Sequence, residues 1–191
     1  FSKDVILMIA KKFGPEGGNY KVLEYGGETV RSFSVPARLT LSNMSAEMGA
    51  KAAIIEPDEE TSKYLKENKR PYKFDKKLLW SDKDAIYEKV MNFDVSDLTP
   101  QIAEPPDIDR VKSVLEIEKK KIKVDQVFIG SCTNCRIEDL DIVYKMWQKN
   151  DLNHNVRTII TTASKLVYLQ ALDKGYIKFF TKKNAIILTP G

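Results

Sequence analysis

Cysteine and histidine are nearly absent: the 191 residues hold two cysteines, Cys132 and Cys135, and one histidine, His154. That count excludes a disulfide-stapled secreted scaffold, and it leaves fewer thiol and imidazole donors than the four a structural zinc site wants. Long apolar runs are missing too, since no stretch reaches the roughly 18 to 20 apolar residues that span a bilayer. The opening residues, Phe1-Ser2-Lys3-Asp4, lack the charged-then-apolar pattern of an export signal, so a cytoplasmic setting is expected. A dominant sign of charge is also lacking, because 31 basic residues stand against 27 acidic ones. The densest basic run, Lys119-Lys120-Lys121 and then Lys123, has no interleaved aromatics for bases to stack on and reads as a solvated helix end. The chain opens without Met and closes at Thr189-Pro190-Gly191 directly after an apolar run, so an internal piece of a longer polypeptide is expected.

What is present is an ordinary globular composition, 42% hydrophobic, arranged in two differently patterned halves. In the first, the spacing of Val5, Ile6 and Ile9 predicts a helix over residues 3 to 13, capped by Ser2 and stopped by Gly14-Pro15. Tyr20 to Tyr25 reads as a strand, and Gly26-Gly27 suggests a hairpin with residues 28 to 33. Ser34 is a good cap for a helix from Val35 to Ala50, with Pro36 tolerated in its first turn and Leu41, Met44 and Met48 facing inward. Asn43 and Glu47, four apart, share the other side and by periodicity alone are exposed polar residues. Ala52 to Ile55 reads as a short strand, residues 58 to 67 as a helix, 68 to 79 as surface loop and Tyr87 to Val95 as a strand. Pro100, Pro105 and Pro106 mark an extended connector from Leu98 to Asp107, which divides the chain into expected domains at 1-106 and 107-191.

The second half is regular. Val127-Phe128-Ile129, Val156 to Thr161 and Ala185 to Leu188 are apolar strands. Between them lie a helix with a stripe at Ile137, Leu140, Tyr144 and Trp147, and one capped by Ser164 that carries Leu166, Leu169 and Leu172 and stops at Gly175. This alternation argues an α/β fold: a parallel sheet with helices on both faces. In such sheets functional groups gather beyond the carboxyl ends of strands, where Cys132 lies.

Read on its own, Cys132-Thr-Asn-Cys135 is compatible with a redox pair at a helix start, a zinc half-site without its second half, two buried residues in a tight turn, or an iron–sulfur ligand. The wider segment, Val127-Phe-Ile-Gly-Ser-Cys-Thr-Asn-Cys-Arg-Ile-Glu-Asp-Leu140, resembles the first cluster-ligand segment of the aconitase family, in its isopropylmalate branch. Leu41-Ser-Asn-Met-Ser-Ala-Glu-Met-Gly-Ala-Lys51, with Glu56-Pro57-Asp58 after it, is similar to the Asn-Met-x-x-Glu-x-Gly-Ala helix of the same enzymes in order and spacing, and the likeness extends over essentially the whole chain.

The resemblance implies aconitase-like α/β domains and a hydro-lyase large subunit. Its cofactor would be a 4Fe-4S cluster held by only three cysteines, leaving one iron open as a Lewis acid. Cys132 would be the first ligand, and the other two are expected in a Cys-x-x-Cys beyond Gly191. Cys135 stands at a position usually held by a small residue and is read as a substitution, not a ligand. A Cys132 to Cys135 disulfide after cluster loss is an alternative state. Glu47 and Asn43 would be active-site residues, Glu47 acting at the substrate hydroxyl and Asn43 near the cluster, which reverses the reading from periodicity. The implied partner is a small swivelling subunit and the implied substrate a hydroxy-dicarboxylic acid: isopropylmalate in leucine synthesis, with homoaconitase or aconitase chemistry as the alternative. RNA binding by a cluster-free form is the reading from another class, disfavoured by the missing basic and aromatic patch. His154 reads as a surface residue; Arg136 reads as a solvated helix-start residue whose charge could instead serve cluster or substrate.

Overall fold

The computed structural model describes residues 1–70, 72–75 and 79–190. The chain forms two compact units, Phe1–Lys120 and Lys121–Gly191. The division expected at residue 106 falls inside an antiparallel pair, β3 (Gln101–Ala103) with β4 (Val111–Ser113), so the segment after Pro106 folds back onto the first unit. Lys112 and Lys120 both pair with Glu104, and the buried side chain of Val111 joins the first unit's core.

In the first unit, α1 (Ser2–Phe13) buries Val5, Ile6, Leu7, Ile9 and Ala10 as its periodicity requires. Ser2 is inside the helix and Phe1 holds the cap position, which corrects the expected boundary by one residue. The carboxylate of Asp4, in the first turn, accepts from the Gln101 backbone N–H at 2.7 Å and so ties α1 to β3. Strand β1 (Val22–Tyr25) does not pair with residues 28 to 33. Those form a short helix, α2 (Glu28–Ser32), and β1 instead pairs in parallel with β2 (Ala52–Ile55), from Val22 opposite Ala52 to Tyr25 opposite Ile55. The expected hairpin fails because Gly27 opens a helix with Glu28 in its first turn, and a parallel partner needs a crossover, which α2 and α3 (Val35–Met44) supply.

Ser34 caps α3 as expected, its hydroxyl accepting from Ala37 N–H at 3.2 Å, but the α-helix ends at Met44 and continues as a 3-10 turn, Ser45–Met48. The cause is Ser45, buried at this junction. Its hydroxyl donates back to the Leu41 carbonyl at 2.9 Å and lies 2.7 Å from the Tyr25 hydroxyl, a competition with the helical ladder that bends and tightens helices. Leu41, Met44 and Met48 are buried as expected, and α4 (Glu59–Glu67) follows β2. Of the expected loop from 68 to 79, part lies outside the described residues.

Tyr87 to Val95 is not a strand. Its apolar alternation is real, since Phe93 and Val95 pack on the core, but it is held by side chains: Tyr87 donates to the Glu24 carboxylate at 3.0 Å and Lys21 pairs with Glu88. Period-2 burial set the faces without any backbone ladder to define a strand.

After α5 (Val114–Glu118), whose Ser113 and Glu116 form a reciprocal capping box, Lys119 to Lys123 are exposed as expected. The second unit is a parallel sheet in the order β5 (Gln126–Gly130), β6 (Arg157–Thr161), β7 (Ile186–Leu188). Ile129, Ile160 and Ile187 lie in one row across it and pack with α6 (Ile137–Gln148), α7 (Lys165–Asp173) and α8 (Tyr176–Lys182). The α6 stripe is confirmed: Leu140 is fully buried and Tyr144 stacks on Tyr176 at 4.6 Å. The α7 stripe is corrected. Leu166, Leu169 and Leu172 are 45–49% exposed, and the buried residues are Val167 and Ala171, because α8 follows directly and brings the bulky Phe180 into the same core. Among the described residues no helix is long and apolar enough to cross a membrane.

Candidate functional site

At the carboxyl end of β5 the chain turns through Gly130-Ser131-Cys132-Thr133-Asn134 and enters α6. The turn is possible because Gly130, at φ +125°, has no side chain: a Cβ there would lie 1.9 Å from the Thr161 carbonyl oxygen of β6 and 2.9 Å from Cys135 Cβ. The loop is thus seated on its neighbouring strand by close backbone approach. Ala163 N–H donates to the Cys135 carbonyl at 3.1 Å and fixes the far side of the turn. Ser131 (φ +85°) and Cys135 (φ +68°) both adopt the left-handed region, a strain that persists only where surroundings over-determine it.

The two cysteines are opposites. Cys132 is exposed, with the hydroxyls of Ser131 and Thr133 each 3.9 Å from Sγ, and those hydroxyls, Thr133 first, draw its thiol below the ordinary range. Cys135 is fully buried beside Leu140 and Ile160, and burial, aided by the charge of Asp139, pushes it up to about 12. Both are free thiols. A redox pair needs a reactive thiolate and an accessible partner, and the fully buried Cys135 does not serve as one. Among the described residues no group of three or more His, Cys, Asp or Glu side chains is arranged to hold a metal ion. The loop therefore presents one exposed thiol, that of Cys132.

Asn43 closes the last turn of α3 and Glu47 lies in the 3-10 turn after it. Both are exposed side chains of the first unit, in agreement with their periodicity. Their backbone is held by the Ser45 hydroxyl and, beyond, by Gly49 at φ +83°, where a Cβ would lie 1.9 Å from Asn19 Oδ1. Upstream, Arg38 is buried and fully engaged. It makes a bidentate pair with Asp58 at 2.9 and 2.8 Å, and it donates to the carbonyls of Phe33 and Arg31. Arg38 in turn holds the Asp58 carboxyl below the usual carboxylate range. The sequence reading missed this clamp, although a signal existed: Arg38 stands three residues before Leu41 and so on the inward face of the helix, where a cation must find an acid. His154 is exposed, as expected.

The aconitase family model, described as aconitate hydratase, matches residues 1–121 and 108–191. The chain belongs to the aconitase family. It is 44% identical over its whole length to the 3-isopropylmalate dehydratase large subunit 1 of Thermotoga maritima, covering 45% of that protein. It is 45% identical to the 3-isopropylmalate dehydratase large subunit of Elusimicrobium minutum, covering 44% of it. To the methanogen homoaconitase large subunit of Methanocaldococcus jannaschii it is 40% identical, covering 46%. The chain thus spans a little under half the length of these curated relatives, whose naming as large subunits implies that they have small-subunit partners. Family enzymes use a 4Fe-4S cluster, and the Cys132 loop has the chemistry that one ligand to it needs: a soft, exposed thiol of lowered pKa on a sterically fixed turn. Cys135, buried and protonated, does not fit as a second ligand.

Proposed function

We infer that this chain is part of the large subunit of a 3-isopropylmalate dehydratase, which interconverts 2-isopropylmalate and 3-isopropylmalate by removing and re-adding water. The observation that carries this is the presentation of Cys132, and not Cys135, at the carboxyl end of β5, together with whole-length similarity to such large subunits. When bound, a 4Fe-4S cluster with an open iron supplies Lewis acidity for loss of the hydroxyl. Cys132 would hold one corner of it, with the Ser131 and Thr133 hydroxyls stabilising the thiolate charge. Glu47 would hold or receive a proton at the substrate hydroxyl, and Asn43 would act near the cluster. A small subunit completes the site in this reading.

Homoaconitase is the second reading, favoured by the 40% identity to a homoaconitase large subunit. The test is turnover by the full-length large subunit with its small subunit on a panel of isopropylmalate, homocitrate and citrate. Preference for isopropylmalate is expected. Preference for homocitrate would transfer the assignment, and no turnover of any hydroxy-diacid by cluster-loaded protein would overturn both.

A further inference from the structure

Arg136 follows the cluster loop and stands at the N-cap of α6 in extended conformation, its backbone N–H donating to Asp139 Oδ2 at 2.9 Å. Its side chain differs from that of Arg38. Every nitrogen of Arg38 has an acceptor. Arg136 Nε, by contrast, is buried and has no partner among the described residues. A buried donor of a charged group left without an acceptor costs the full loss of its hydration, so such groups are rare unless an acceptor arrives from elsewhere. The residue as a whole is partly exposed, so the buried Nε belongs to a side chain that is not sealed within the core.

The side of a guanidinium formed by Nε and one Nη carries two parallel N–H groups, which match the two oxygens of a carboxylate. The Asp139 carboxylate accepts from the backbone N–H of Arg136. We propose that Arg136 is a substrate-recognition residue that grips one carboxylate of the hydroxy-dicarboxylic acid beside the Cys132 loop. This rests on the functional reading above and deepens it. A dicarboxylate carries two negative charges, and Arg136 supplies a directional cation four residues along the chain from Cys132.

The test uses the full-length large subunit with its small subunit. Wild-type turnover and the brown cluster colour are measured first; their absence sinks the functional reading before any variant is made. Binding of the unreactive deoxy analogue of whichever diacid the wild type turns over, and of its two half-amides, is then compared in wild type, Arg136→Gln and Arg136→Lys. Expected is a loss for the diacid of about 10- to 100-fold in Arg136→Gln, with a smaller loss in Arg136→Lys, which keeps the charge but not the fork. One half-amide should bind wild type and Arg136→Gln equally, because it lacks the carboxylate that Arg136 holds. Diacid affinity within twofold of wild type overturns the proposal. So does equal weakening of both half-amides and the diacid, or bleaching of the cluster in Arg136→Gln, which would make Arg136 a structural or cluster-supporting residue.

Discussion

The two units present their candidate site residues by different means. In the first, the turn carrying Asn43 and Glu47 is fastened by polar groups: the Ser45 hydroxyl at its start and, further back, the buried Arg38–Asp58 pair that joins α3 to the cap of α4. In the second, the loop carrying Cys132 is fastened by shape, through the missing side chain of Gly130 and the buried thiol of Cys135. Polar fastening carries a desolvation cost and is sensitive to acid, whereas steric fastening tolerates no added atom.

Gly130→Ala is the sharpest way to break this contrast and should have the largest effect. The new Cβ would meet the Thr161 carbonyl, and the backbone angle would be forbidden as well. A loss of about 4 kcal/mol in denaturant unfolding is expected; a loss under about 1 kcal/mol would show that the loop is not seated by close approach. Next comes Arg38→Met, which leaves Asp58 without its partner and should cost about 3 kcal/mol at neutral pH. The sign with pH follows from the lowered carboxyl of Asp58. Its contribution is present above the ordinary carboxylate range and is lost as pH falls through and below it, so the variant should lose less stability in acid than the wild type. Parallel acid curves would refute the clamp.

Within the loop, the two cysteines sharpen the comparison. Cys135→Ala empties a fully buried position and should cost about 1 to 2 kcal/mol, while Cys132→Ala, at an exposed one, should stay within about 0.5 kcal/mol. Alkylation followed by mass spectrometry should modify Cys132 at a pH below the ordinary thiol range and leave Cys135 untouched in folded protein. Because Cys135 is raised to about 12 when folded, its contribution to stability is full below the unfolded thiol value and declines as pH climbs from there toward about 12. Cys135→Ala should flatten that alkaline decline. Equal alkylation of both cysteines would undo the distinction between the exposed and the buried thiol.

How much of this could be read from sequence depended on whether neighbours in the chain or neighbours in space decided the matter. Strands β5, β6 and β7 were legible because continuous apolar runs between capped helices leave few options. So was the inward face of α3, set by local periodicity. The failures were tertiary. Residues 28 to 33 carry strand-compatible side chains, yet β1 finds its partner in β2, and the 3-10 turn at Ser45 depends on Tyr25, twenty residues earlier. Of the candidate site, Cys132, Asn43 and Glu47 were visible as motifs. The different fates of Cys132 and Cys135 were not visible in a symmetric Cys-x-x-Cys, because the close approach of Gly130 to the Thr161 carbonyl of β6 seats the loop that turns one thiol inward.

The smallest expected effect tests the most instructive of these failures. Leu166, Leu169 and Leu172 make a better apolar stripe than Val167 and Ala171, but the core contains the smaller pair because Phe180 of α8 occupies the volume that leucines would need. Leu169→Ser should therefore change the unfolding free energy of the chain by no more than about 0.5 kcal/mol, whereas Val167→Ala should cost about 1.5 kcal/mol with an unchanged denaturant slope. If Leu169→Ser proved the more costly, the leucine face would be buried in solution and the periodic reading would have been right about its role. Size complementarity with α8, and not hydrophobicity alone, chooses the buried face here, and this pair of variants measures that choice directly.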